Sequence, residues 1–75
     1  MTFGKQLKQA RKNLDLTQKQ ISDKLGWTSS QMISEVERGS VYLSPESLKK
    51  VCKILGLDYK ETIKKMVCEK YDISL

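Results

Sequence analysis

The apolar residues of this chain recur three or four positions apart along nearly its whole length, without sustained one-by-one alternation with polar residues. Such a period puts them on one stripe of an α-helix, whereas a half-buried strand needs a period of two. The chain is therefore confined to helices packed on one another. Phe3, Leu7, Ala10 and Leu14 mark a first helix over 3–14. Ile21 and Leu25 mark a second over 17–25, and Ile33 and Val36 a third over 29–38, with Met32 expected in the core at the border of that stripe. Leu48, Val51, Cys52 and Leu55 mark a fourth over 44–56, and Ile63, Met66, Val67 and Tyr71 a fifth over 58–71.

Start and stop signals fall between these stripes. Thr17 and Gln20 are spaced as a capping box, in which the threonine oxygen accepts a backbone N–H and the glutamine side chain reaches back. Gly26 is the natural stop of the second helix, because glycine adopts the left-handed backbone there without steric cost. Thr28 or Ser29 can cap the third helix, which ends at Arg38 and Gly39. Ser44, Pro45 and Glu46 supply a cap, a first-turn proline and an acid near the positive end of the fourth helix. Gly56 closes it, and Asp58 with Glu61 resembles another capping arrangement. With no repeat and no linker, residues 1–75 are expected to form one all-α domain, a compact five-helix unit.

At 75 residues folding buries only about 60% of the chain's surface, so a deep substrate pocket is not expected. No apolar run approaches the roughly 20 residues that span a bilayer, and the first residues do not read as a signal peptide. A cytoplasmic protein without membrane association is expected. The chain has no histidine, the commonest general base, and no serine in a nucleophile elbow, so no enzyme is expected. Cys52 and Cys68 lack the spacing of a zinc site and read as core or surface thiols; neither metal nor cofactor is expected.

The net charge of +5 is unevenly placed: residues 1–31 hold six basic against two acidic residues, the remainder eight against seven. A basic half suits a polyanion, since each phosphate neutralised releases counterions, although a solvated lysine-rich face has the same composition. The third helix is more particular. With Ile33 directed inward, Val36 lies on one flank and Glu37 about 40° away on the other, while Gln31, Ser34, Glu35 and Arg38 point outward. A typical solvated face is dominated by lysine and glutamate pairs; this one carries amide and hydroxyl groups able to bond base edges in a major groove.

Two helices joined by a tight glycine-containing turn, the second with a polar edge, are spelled by "LTQKQISDKLGWTSSQMISEVERG". On these residues, and on "LKKVCKILGL" in the fourth helix, the chain resembles the lambda-repressor-like helix-turn-helix family, also called the Xre or Cro/CI group. The resemblance covers nearly all of residues 3 to 63. Its turn after Gly26 is one residue longer than the commonest form, a length some relatives share with an aromatic after the glycine.

The resemblance implies that Gln18 contacts a phosphate and braces the recognition helix, and that Ser30, Gln31 and Glu35 face the bases with Ser34 beside them. Arg38 and Gly39 match the end of the recognition helix near the sugar-phosphate chain, and Ser40 and Tyr42 fall in a further phosphate-contacting segment. Lys19 is the lysine best placed for a phosphate. Arg11 flanks the first helix's stripe about 40° from Leu7, so it is expected to pair with Glu37, and relatives carry a matching bridge. Alternatives stay open at three positions. Gln31 could close a capping box with Thr28, Glu35 could balance Arg38 rather than accept from a cytosine, and Trp27 could cover the core edge or wedge at the nucleic acid.

The implied function is a sequence-specific binder of double-stranded DNA that represses transcription. One recognition helix reads few base pairs, so a homodimer on an inverted repeat is expected. Ile63, Val67 and Tyr71, at i, i+4 and i+8, either supply its interface or pack within the chain. The same fold also serves as antitoxins and protein-interaction adaptors. No small-molecule effector is expected, for want of a second domain to hold one.

Overall fold

The computed structural model describes residues 2–71, so Met1 and residues 72–75 of the expected 1–75 domain lie outside the described residues. Five helices follow in order: α1 (Phe3–Asn13), α2 (Gln18–Leu25), α3 (Gln31–Arg38), α4 (Pro45–Leu55) and α5 (Tyr59–Tyr71), with no strand among the described residues. The capping box of α2 is present: Thr17 Oγ1 accepts from Gln20 N at 3.0 Å and Gln20 Oε1 accepts from Thr17 N at 2.7 Å. Ser44 caps α4 by accepting from Ser47 N at 3.2 Å. At the start of α5 only half of the expected arrangement forms, with Asp58 accepting from Lys60 N at 3.0 Å.

The core gathers Phe3 and Leu7 of α1, Ile21 of α2, Ile33 and Val36 of α3, the α4 stripe of Leu48, Val51, Cys52 and Leu55, and Met66 of α5. Leu43 joins it from the connector before α4 and is 4% exposed. Two apolar residues depart from the sequence reading. Leu14 is 49% exposed because α1 stops at Asn13; the chain turns through Asp15, at φ 56°, and Leu16 packs against the core instead. Met32 is 43% exposed and stands outside the core.

Helix α1 lies across α3, and α2 joins α3 to α4. Gly4 sets the first of these approaches. A Cβ at that position would stand 2.5 Å from the Val36 carbonyl oxygen and 2.7 Å from that of Glu37. Those are backbone atoms of the last turn of α3, so no side chain can swing aside to make room. The close crossing holds the C-terminal half of α3 against the domain.

Candidate nucleic-acid interface

Helix α3 is short, polar outside and apolar inside. Ile33 and Val36 are buried, Gln31 and Arg38 are exposed, and Ser34 and Glu35 are half-buried on the outward side. Eight residues make a helix about 12 Å long. Gly39 ends it at φ 85°, with Gly39 N donating to Val36 O at 3.1 Å and Ser40 N to Glu35 O at 2.9 Å. Both amides are therefore spent closing the helix. Of the residues expected near phosphates here, Arg38 and Ser40 remain exposed with side chains to offer, while Gly39 contributes the stop.

The start of α3 corrects the sequence reading. The helix begins at Gln31 with Ser30 at the cap position, and Ser30 makes no side-chain capping bond. Ser29 Oγ accepts weakly from Gln31 N at 3.4 Å, and Thr28 forms no box with Gln31. The longer turn after Gly26 carries the chain past both candidate caps before the helix can start. Gln31 instead donates from Nε2 to Glu35 Oε1 at 3.2 Å, one turn along the exposed edge. No ion pair joins Glu35 to Arg38 among the described residues.

Beneath this edge lies a polar network. Arg11 donates from Nε to Glu37 Oε2 at 2.8 Å and from Nη2 to Glu37 Oε1 at 3.1 Å. Its Nη1 donates to the carbonyl of Leu16 at 2.8 Å, in the connection between α1 and α2. Gln18 Nε2 adds a bond to Glu37 Oε1 at 3.0 Å. The side chains of Arg11 and Glu37 are only 11% and 5% exposed, so each charge depends on the other. One carboxylate on α3 is thus gripped from α1 and from the first residue of α2. The Gln18 amide has two N–H donors, one of them spent on Glu37.

A helix-turn-helix family model matches residues 7–61, well over half of the chain. The chain belongs to the Cro/CI-type helix-turn-helix family. Comparison with curated proteins gave no match. The helix-turn-helix is formed by α2, the turn at 26–30 and α3, and the family is one of DNA-binding regulators.

The remaining site residues of the helix-turn-helix domain divide. Lys19 is exposed and pairs with Asp23 at 2.9 Å, which offsets part of its charge in the free protein. Tyr42 is half-buried, its ring 6.2 Å from that of Phe3. Burial first, and then the charge and hydrogen bonding of Glu69, push its hydroxyl pKa up. Tyr42 thus belongs to the inner face of its connector. Trp27 is half-buried and packs against the core edge. Ile63 also packs on the core, whereas Val67 is half-buried and Tyr71 is 62% exposed. Only the last two line an open hollow, with Tyr42, Leu43, Pro45 and Met66. Cys52 is buried and Cys68 half-buried, and no metal-binding cluster occurs among the described residues.

Sequence reasoning passed over Gly4 and Ser22. Gly4 lies about 20° round the helix from Arg11, and a glycine inside an apolar helical stripe was the available signal. Ser22 is fully buried in α2 and its hydroxyl has no partner; no pattern in the chain marked it.

Proposed function

We propose that the chain is a cytoplasmic transcriptional repressor that binds an inverted-repeat operator as a homodimer, each α3 lying in the major groove of one half-site. The observation that carries this reading is the outward edge of Gln31, Ser34, Glu35 and Arg38 on a helix whose inner carboxylate, Glu37, is held by Arg11 and Gln18. A reader must be held rigidly if its hydrogen bonds are to discriminate between base pairs. Ser30, Gln31, Ser34 and Glu35 select bases, and Gln18, Lys19, Arg38 and Ser40 fix the register on phosphates. No helix among the described residues is long and apolar enough to cross a membrane.

Eight helical residues touch too few base pairs to single out a genomic site, so two copies with half-sites about one helical turn apart are required. Val67 and Tyr71 of α5 give the dimer an apolar seat, while Ile63 stays with the core. Selection from a random duplex library tests the reading. Enrichment of an inverted repeat, bound at least about a thousandfold tighter than a scrambled duplex, is expected. Binding without enrichment, vanishing as salt rises, would leave only charge attraction and shift the search to a protein partner. A monomer on the selected duplex in sedimentation would remove the dimer.

A further inference from the structure

Met32 is 43% exposed beside a polar reading edge, although its neighbour Ile33 is almost fully buried. It lies about 60° round α3 from Glu35, so it stands beside the outward edge. Trp27, Thr28, Ser29 and Met32 line an open hollow at the N-terminal end of α3. The indole is fixed there, because Trp27 packs against the core, while Thr28 and Ser29 form an exposed polar rim. The long turn makes the hollow, since it carries Trp27 back onto the domain before Met32 enters the helix.

The Met32 thioether is only a weak hydrogen-bond acceptor, too weak to select a purine or a cytosine. It offers an apolar, polarizable contact, and the major groove presents one apolar group, the C5 methyl of thymine. A docked protein is the poorer fit: a stable interface buries about 800 Å² on each partner, whereas this hollow is walled by four residues with hydroxyls at its rim. We propose that Met32, backed by Trp27, reads one thymine in each half-site through its C5 methyl. The proposal rests on the DNA-binding reading above and adds a reader outside the polar set.

The test replaces each thymine of the selected duplex in turn by uracil, which removes the methyl and leaves every hydrogen-bonding group in place. Losing one buried methyl contact is expected to weaken binding about fourfold at a single position per half-site. Met32→Ala should bind the thymine and uracil duplexes equally at that position, and Met32→Leu should restore the preference. Because Met32 lies outside the core, both variants should fold, and the Leu variant shows that the Ala result is not a folding defect. Tolerance of uracil at every position, or a preference unchanged in Met32→Ala, overturns the assignment while leaving the DNA-binding reading intact. Failure to enrich any duplex overturns both.

Discussion

Arg11 and Glu37, 26 positions apart in the chain, meet through two hydrogen bonds of 2.8 and 3.1 Å in a place where neither side chain is more than 11% exposed. The contact couples the first helix to the recognition helix, and Gln18 extends it to the helix between them. Stability and the placement of α3 therefore rest on the same carboxylate.

Glu37→Ala leaves the Arg11 guanidinium buried without its counter-charge. A loss of about 3 kcal/mol is expected, which is much of the stability of a domain this small. Replacing both residues, Arg11→Met with Glu37→Leu, should recover most of that loss, since no charge is then stranded. The double variant should still bind the operator more weakly, because Gln18 has lost its anchor. Urea denaturation and duplex titration check the two halves; a loss below about 1 kcal/mol in Glu37→Ala would place the pair among ordinary surface bridges.

Gly4→Ala opposes two effects of known sign. Alanine favours a helix over glycine by about 1 kcal/mol. Against this, the new methyl would sit 2.5 Å from the Val36 carbonyl oxygen, forcing α1 away from the last turn of α3. Overpacking of this kind costs about 3 kcal/mol at its upper range, so a net loss of about 2 kcal/mol is expected. Thermal melting decides, and a raised melting temperature would show that the two helices separate easily.

The helices themselves were legible because stripe and punctuation agree: Thr17 with Gln20 opens α2, and Gly26, Gly39 and Gly56 close three helices at positive φ. The exposed edge of α3 was legible by projection from Ile33. Three features were not. The start of α3 depends on how far the turn carries the chain, and Thr28, Ser29 and Ser30 are equally good caps by composition. Met32 lies on the boundary of a stripe, where periodicity assigns no side. Gly4 was marked only by being a glycine inside an apolar stripe, and Ser22 is set by what other helices bring against it, which a stripe seen from one helix does not contain.

Ser22→Ala should stabilise the protein by about 1 kcal/mol. The hydroxyl is fully buried and unpartnered, so its desolvation is not compensated, and alanine is the better helix former. Chemical denaturation of the variant checks this, and a destabilised variant would mean that the hydroxyl has a partner in solution.

Alkaline pH should lower the protein's stability through two neutral acids. Burial, opposed by the Thr62 hydrogen bond and aided by the charge of Asp58, raises the Cys52 pKa above 9.0. Burial and Glu69 raise that of Tyr42 above 10.0. Each group keeps its proton in the folded state where the unfolded chain has released it, so the folded state binds more protons and stability falls as pH rises. The contribution is complete below pH 9.0 for Cys52 and below 10.0 for Tyr42, and is lost as pH climbs through the folded values. Tyr42→Phe keeps the ring against Phe3 and should flatten the decline above pH 10.0; an unchanged slope would refute the linkage for that residue.

Glu35→Gln separates attraction from reading. In the proposed complex the carboxylate would face a groove walled by phosphates, and in the free protein it accepts from Gln31. Removing the charge should strengthen binding to a scrambled duplex, because the repulsion is relieved whatever the sequence. If Glu35 accepts from a cytosine amino group, the same change should weaken binding to the selected operator relative to the scrambled duplex, losing about 1–3 kcal/mol of discrimination at one base pair. Titrations of both duplexes at two salt concentrations give the ratio. An operator affinity that rises in step with the scrambled one would reduce Glu35 to an exposed partner of Gln31 and leave base selection to Gln31, Ser34 and Ser30.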